Sequence, residues 1–306
     1  MNSENAFIKH TKLVLLTIFA VILAGSIVRT THSGMGCPDW PHCFGRWIPP
    51  LNAGQLPKDF EKYLSKQDID HTFNAFHTWI EYFNRLLTGL LGIFIVIQII
   101  WAFKKYFKTR RVIVYLSLTL MLLVAFEAWV GKVVVNSNLG VVQITAHMFP
   151  ALVIAGVCVL MIQLLEKKEK IIDKKFLLFL SLAFVLVLIQ IVIGTEVRSE
   201  VDNISKAMHY VDRASWLKNV SSYLQTHEVF AWIVAFSCIL VAGKAVAHKP
   251  LQKNGLLVLI LIMAEIFLGL IMTQLHMPAF AQPLHLLGSS ILIVTLFSLM
   301  LRVRFK

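Results

Sequence analysis

Eight stretches of mostly apolar residues, each about 20 residues long, constrain this 306-residue chain more than any other feature. A helix rises about 1.5 Å per residue, so such a stretch crosses a hydrocarbon layer of about 30 Å. The chain is 57% hydrophobic and 15% charged, whereas soluble domains are nearer half apolar and a quarter charged. The sequence therefore predicts an all-α membrane protein with eight transmembrane helices. The predicted spans are roughly 12–30, 79–103, 112–134, 142–165, 175–196, 223–247, 254–274 and 283–301.

Positive charge is concentrated in segments that would lie on one side of the membrane. The formal net charge is +12, and basic segments follow the even-numbered spans at 104–111, 166–175, 244–253 and 302–306. Because loops rich in lysine and arginine stay in the cytoplasm, both termini are predicted to be cytoplasmic. This distribution argues against a nucleic-acid partner. The first span could also be a cleaved signal peptide, but it is long for one. We expect a multi-pass, lipid-embedded protein of a bacterial plasma membrane.

The two halves of the chain carry matching residues in the same order. The matches are Gly25 with Gly194, Arg29 with Arg198, Asn84 with His227, Glu127 with Glu265, Gly131 with Gly269 and His147 with His285. Each half has an even number of spans, so both halves enter the membrane from the same side. We therefore predict two tandem four-helix bundles, residues 1–170 and 171–306, related by a pseudo-two-fold axis along the membrane normal. Bundle interiors commonly hold cofactors.

Three histidines lie just inside the outer ends of even-numbered spans: His147, His227 and His285. Ionisable groups inside a membrane are costly and usually functional. A hydrogen bond to a neighbouring helix would explain any one of them, but three at matching depth in a repeat favour metal ligation. Zinc usually needs four ligands, whereas haem iron takes one or two axial ligands. His227 and His285 therefore predict a bis-histidine haem in the second bundle.

The first bundle offers a less symmetric site. Span two has Asn84 where span six has His227, and asparagine is a poor iron ligand, so a haem on His147 would have an open face. His77 would lie about 10 Å above Asn84 and could replace it only if the helix start were irregular. Glu81 shares a helix face with Asn84 and is a candidate general acid or base. The alternative is a carboxylate favoured by the helix dipole.

Further charged residues are placed near the outer ends of the spans. Arg29, Arg85 and Arg198 could pair with haem propionates or anchor the helices at the membrane interface. Glu127 and Glu265 could belong to the sites or serve as hydrogen-bonding groups inside the bundles. The sequence leaves both choices open.

A cysteine pair lies in the first outer loop. Cys37 and Cys43 flank Pro-Asp-Trp-Pro-His, and outside the cytoplasm two such thiols are expected to form a disulfide. A structural link and a redox-active pair are both compatible with this position. Cys158 and Cys238 lie within spans and are predicted to be small core residues.

The sequence resembles the haem A synthases, a bacterial family related to the mitochondrial cytochrome oxidase assembly enzyme. The resemblance covers nearly the whole chain. It rests on segment 34–43 (Gly-Met-Gly-Cys-Pro-Asp-Trp-Pro-His-Cys), on segment 81–85 (Glu-Tyr-Phe-Asn-Arg) and on the three placed histidines. It implies an oxidoreductase that oxidises a methyl group of haem O to the formyl group of haem A, the cofactor of cytochrome c oxidases.

The resemblance also implies roles for individual residues. It implies a haem b between His227 and His285, with the substrate haem near His147. The family's essential acid matches Glu81, and its outer-loop cysteine pair matches Cys37 and Cys43.

Two departures from the family pattern accompany the resemblance. Asn84 stands where the family usually has histidine, and the second outer loop, 197–222, lacks a cysteine pair that some members carry. The residues alone also allow a b-type cytochrome that transfers electrons, for instance with quinone, or a haem carrier without turnover. Possible partners are a haem O synthase, an electron donor and oxidase assembly factors.

Overall fold

The computed structural model describes residues 3–64, 72–136, 141–166 and 168–304. Within those ranges, eight helices are long and apolar enough to cross a membrane, which confirms the predicted all-α membrane fold. The helices are α1 (Ser3–Thr30), α2 (Glu61–Leu64), α3 (Ala75–Tyr106), α4 (Arg111–Asn136), α5 (Val141–Leu165), α6 (Lys174–Ala207), α7 (Arg213–Trp216), α8 (Ser222–Ala247), α9 (Gln252–Gln274) and α10 (Ala281–Met300). Two short strands are β1 (Ile171–Ile172) and β2 (Val303–Arg304). The short helices α2 and α7 lie in the loops.

Short polar side chains start several of the long helices. The N–H of Phe176 donates to Asp173 Oδ1 at 2.8 Å, and the N–H of Tyr223 donates to Ser221 Oγ at 3.3 Å. These caps satisfy backbone donors that have no partner within the helix. Along the spans the helix itself satisfies the backbone, as a hydrocarbon environment requires.

One compact unit comprises Met1–Met161. In it, α3 packs against α1 and against α4. The Nε2 of Gln98 on α3 donates to the Sδ of Met161 on α5 at 3.6 Å. Helix α3 therefore touches three other spans of this unit, α1, α4 and α5. Separately, an ion pair of 2.9 Å joins Arg110, between α3 and α4, to Glu4 on α1.

The second compact unit comprises Ile162–Lys306. Helix α6 packs on α8, α8 on α9, α9 on α10 and α10 back on α6, which closes a four-helix ring. Strands β1 and β2 pair in parallel and join the start of α6 to the end of α10. Lys244 lies 2.8 Å from Asp173, and this hydrogen-bonded ammonium holds the pKa of the Asp173 carboxyl below its usual range. The two-fold relation between the halves stays a prediction.

Helix α6 differs most from the predicted span, because it continues to Ala207 instead of ending near 196. Hydropathy falls after the membrane crossing, but the following residues include good helix formers such as glutamate, arginine and lysine. Val201, in this extension, is buried against Trp216 and Met277. Hydropathy therefore located the membrane crossing and missed a helical extension that is stabilised by loop residues.

The outer surfaces of the long helices are apolar. On α3 the exposed apolar side chains recur at helical spacing and include Phe83, Leu86, Leu90, Ile93 and Ile97. So large an exposed apolar face is unusual in a soluble monomer and is expected where lipid is the solvent.

Candidate functional site

The loop after α1 contains the expected disulfide, between Cys37 and Cys43. Both cysteines are buried together with Phe44. The carboxylate of Asp39 accepts hydrogen bonds from the N–H groups of Phe44 (2.7 Å) and Gly45 (2.9 Å). The loop is therefore closed twice, by a covalent bond and by an aspartate that binds the backbone after the second cysteine.

Glu81 and Arg85, one turn apart on α3, bind this loop. The N–H of Cys37 donates to Glu81 Oε2 at 2.8 Å, and Arg85 pairs with Glu81 Oε1 at 2.5 Å. Arg85 also donates to the carbonyl oxygens of Asp39 (2.6 Å), His42 (2.8 Å) and Cys37 (2.8 Å). Glu81 is only 4% exposed. Arg85, predicted to bind a propionate or to anchor a helix, is thus engaged with the loop backbone.

The loop also lies directly on the first turns of α3. A Cβ at Gly36 would collide with the carbonyl group of His77, so only glycine permits this approach. Thr78 Oγ1 donates to the Gly36 carbonyl at 2.9 Å. The helix start is regular, with the N–H of His77 donating to Asn74 Oδ1 at 3.2 Å. His77 therefore stays two helical turns from Asn84, without the irregular start that it would need to replace Asn84 as a ligand.

Asn84 lies deeper along α3 than Glu81. Its Oδ1 is buried and accepts no hydrogen bond from the described residues, and a Cβ added at Gly25 would lie 4.0 Å from this oxygen. A buried polar atom without a partner is costly, and it marks a place where a ligand or water would compensate.

His147 is on α5 and meets an acid from α4. Its Nδ1 lies 2.6 Å from Glu127 Oε2, although no aligned hydrogen bond to a described residue forms at that nitrogen. The His147 side chain is 42% exposed, and the ring passes 3.9 Å from a Cβ that would be added at Gly131. A histidine held on its Nδ1 side and accessible elsewhere is suited to offer Nε2 to a metal.

His227 on α8 and His285 on α10 face each other in the second unit. Their ring centroids are 6.4 Å apart and their planes make an angle of 72°. Two imidazoles bound through metal–nitrogen bonds of about 2 Å on opposite sides of one iron have centroids roughly 6 Å apart. The spacing therefore fits an axial histidine pair. The buried Nδ1 of His227 makes no hydrogen bond to the described residues, so this nitrogen can bind a further group.

Residues from α6 and α9 surround this histidine pair. Gln190 donates to the His227 carbonyl at 3.0 Å, and its Nε2 lies 3.4 Å from His227 Nε2. A Cβ at Gly194 would lie 2.9 Å from His227 Cε1. Glu265 Oε2 lies 3.1 Å from His285 Nδ1. The matched positions Gly25 and Gly194 thus face the matched positions Asn84 and His227.

Two arginines of the predicted sites differ in their placement. Arg29 lies in the last turn of α1, as predicted, where a cation favours the helix dipole. Arg198 lies inside α6, nine residues before the helix ends at Ala207, so its predicted position at a helix end is wrong. Both side chains are half-buried. The helical extension described above is the reason for this difference.

Sequence reasoning missed two residues near the histidine pair of the second unit, Gln190 and Gly288. Gln190 is a polar residue in an apolar span, one turn before Gly194, which was a signal that could have identified it. Gly288 is one turn after His285, and a Cβ there would collide with Glu265 Oε1. A glycine in a helix gives no comparable sign of what it faces.

Comparison with known proteins links the chain to one family. The profile of the COX15-CtaA family, described as cytochrome oxidase assembly protein, matches residues 10–297. Among similar proteins, the heme A synthase of Bartonella quintana (strain Toulouse) is 26% identical, with 87% of this chain and 83% of the relative covered. The heme A synthase of Bartonella tribocorum is 27% identical over 86% and 82%. That of Shewanella oneidensis is 23% identical over 94% of both chains.

Proposed function

The chain belongs to the COX15-CtaA family of cytochrome oxidase assembly proteins, and on that premise we propose that it is a haem A synthase. The observation that carries the proposal is the family match over residues 10–297, with relatives named heme A synthase that align along most of the chain. The reaction oxidises a methyl group of haem O to a formyl group. The carbon loses four electrons to an external acceptor and gains one oxygen atom, so the enzyme acts as an oxidoreductase.

The second half of the chain, 171–306, is the cofactor half in this proposal. His227 and His285 are the residues that would hold a haem b, and the 6.4 Å separation of their rings supports this assignment. A bis-histidine haem supplies one-electron transfer. Gln190 binds the His227 backbone carbonyl, Glu265 lies beside His285 Nδ1, and Arg198 is assigned to a propionate.

The first half, 1–170, binds the substrate haem. His147, oriented by Glu127, provides the axial nitrogen, and Asn84 leaves the opposite face open. The buried Oδ1 of Asn84, which has no partner among the described residues, supports a role at that face. Arg29 and Arg85 were each predicted to pair with a propionate or to anchor a helix. Arg85 binds the loop backbone, and the proposal assigns Arg29 to a propionate.

Glu81, Cys37 and Cys43 form the remaining part of the proposed site. Glu81 acts as the acid or base that moves protons as the methyl group is oxidised, at a position 2.8 Å from the Cys37 amide. The Cys37–Cys43 disulfide can take up two electrons and two protons to give two thiols. Its connection to Glu81 through the Cys37 backbone supports a role beside the substrate.

The proposed location is the bacterial plasma membrane, with both termini in the cytoplasm and both haems near the outer surface. The basic segments between spans support this orientation. Partners in this proposal are a haem O synthase that supplies the substrate, an electron acceptor or donor, and factors that receive haem A during oxidase assembly.

Haem extraction with mass analysis tests the proposed function. The chain is expressed together with a haem O synthase in a host that lacks haem A, and the host with the haem O synthase alone is the control. We expect haem A, or hydroxylated haem O on the way to it, only when the chain is present. Haem O that stays unmodified beside bound haem B would contradict the proposal and favour an electron-transfer cytochrome.

A further inference from the structure

A carboxylate lies beside one of the two histidines of the second unit. Glu265 Oε2 is 3.1 Å from His285 Nδ1. The first unit repeats the arrangement, since Glu127 Oε2 is 2.6 Å from His147 Nδ1. In both units the acid comes from the span that precedes the histidine and approaches Nδ1, which leaves Nε2 directed away from the acid. The recurrence makes a chance contact a poor explanation.

The helix that carries His285 is shaped to admit this acid. Glu265 is 8% exposed, and a Cβ at Gly288 would collide with its Oε1. Gly288 is one turn from His285 on the same helix, so the position that would exclude the carboxylate has no side chain. Burying a carboxylate among apolar helices is costly unless it has a specific partner. His285 is the partner that this geometry provides.

We propose that Glu265 is a positioning residue that orients His285 and strengthens its electron donation to the haem iron. The inference rests on the proposed function, because it takes the haem between His227 and His285 from that proposal. Histidine ligands of metals usually donate the second ring N–H to a carboxylate or carbonyl, which fixes the ring and makes the bound nitrogen a stronger donor.

The alignment at Nδ1 is incomplete in this structure. His285 Nδ1 is close to the carboxylate but makes no aligned hydrogen bond. A rotation of the ring that brings Nε2 to a metal and points Nδ1–H at Glu265 satisfies both groups. His227 differs, because the Gln190 amide lies 3.4 Å from its Nε2 and its Nδ1 has no acid beside it among the described residues. The two histidines would therefore be unequal donors to the iron, with His285 the stronger one.

The reduction potential of the bound haem tests this inference without a measurement of turnover. Full-length protein with its haem is compared with a Glu265→Gln variant by optical redox titration and electron paramagnetic resonance. The amide keeps the size and removes the negative charge, so the potential is expected to rise because the oxidised iron loses electron donation. A Glu265→Asp variant keeps the charge at a greater distance and is expected to shift less. Ser298→Ala on the same helix removes a hydrogen bond to Gln163 and serves as the control, with no shift expected.

The outcomes separate this inference from the proposed function. A Gln variant at the wild-type potential, or an Asp variant that shifts as far as the Gln variant, would overturn the role of Glu265 alone. If the Gln variant does not retain haem, Gly288→Ala decides, since it displaces the carboxylate and keeps both side chains. A raised potential there supports the inference, and an unchanged one overturns it. If the purified wild-type protein contains no haem, the proposed cofactor site is overturned, and this inference is overturned with it.

Discussion

The two halves of the chain use similar helices to present different groups at matching positions. In the second half His227 faces His285, with ring centroids 6.4 Å apart. In the first half the position that matches His227 is Asn84, whose buried Oδ1 has no hydrogen-bond partner in the part of the chain that the structure describes. A glycine lies beside each of these two positions, Gly25 in the first half and Gly194 in the second. An acid likewise lies beside His147 in the first half and beside His285 in the second. In the proposed function, this one difference of side chain separates a site with two histidine ligands from a site with one open face.

The largest expected effect comes from removing a ligand of the closed pair. A His285→Ala variant should lose the low-spin haem signal and with it nearly all haem A formation, because one axial ligand cannot replace two. Absorbance spectra of the purified protein measure the loss. His276→Asn, in an outer loop, is the matched control and should keep the signal. A His285→Ala protein with an unchanged low-spin spectrum would show that the two rings do not share an iron.

The next effect concerns Glu81, which both binds the loop and is the proposed acid. Glu81→Gln should lower haem A formation about 100-fold, the range typical of a lost general acid or base. Arg85→Lys keeps a positive charge beside Glu81 but cannot make the same set of hydrogen bonds to the loop. The Arg85→Lys variant should therefore lower the rate of haem A formation less than Glu81→Gln does. Equal losses in the two variants, measured by haem extraction, would mean that Glu81 acts only by holding the loop.

Only part of this first site could be predicted from the sequence. The placement of Glu81 on the face of Asn84 follows from helical spacing, and a disulfide between Cys37 and Cys43 follows from their outer position. The binding of three loop carbonyls by Arg85 could not be foreseen, because carbonyl groups carry no sequence signal and the loop path depends on tertiary contacts.

The same limit applies to the second unit. Apolar length and charge distribution predicted the spans, since the bilayer imposes a fixed thickness on any helix that crosses it. The continuation of α6 to Ala207 depends on contacts of Val201 with Trp216 and Met277, which are distant in the chain. The sequence left Glu265 open between a site residue and an interior hydrogen-bonding group, because its pairing with His285 depends on how α9 and α10 are rotated.

The disulfide gives a smaller expected effect. Replacing Cys37 and Cys43 together by serine should destabilise the loop by about 2 kcal/mol, as expected for a short closed loop. Thermal unfolding measures this loss, and Cys238→Ala, within a span, is the control for cysteine removal. If the disulfide takes part in the reaction, haem A formation should stop even at temperatures where the variant is folded. Full activity of the folded variant would show that the disulfide has only a structural role.

The smallest effect on turnover is expected where the two halves are made alike. An Asn84→His variant should give the first half a histidine pair and add a second low-spin signal when haem O is bound. Haem A formation should persist, because the family usually has histidine at this position. Resonance Raman spectra of protein loaded with haem O report the change of spin state. An unchanged spectrum would show that Asn84 does not face His147 across the haem.

The way in which Arg85 holds the loop has a consequence for how this segment can vary. Its guanidinium group binds the carbonyl oxygens of Cys37, Asp39 and His42, and no side chain of those residues takes part in these three bonds. Exchanging the exposed Trp40 for another residue leaves the three acceptors in place. Inserting or deleting one residue there moves at least one acceptor out of reach. Natural variants should therefore differ in composition at Trp40 more readily than in the number of residues between the two cysteines.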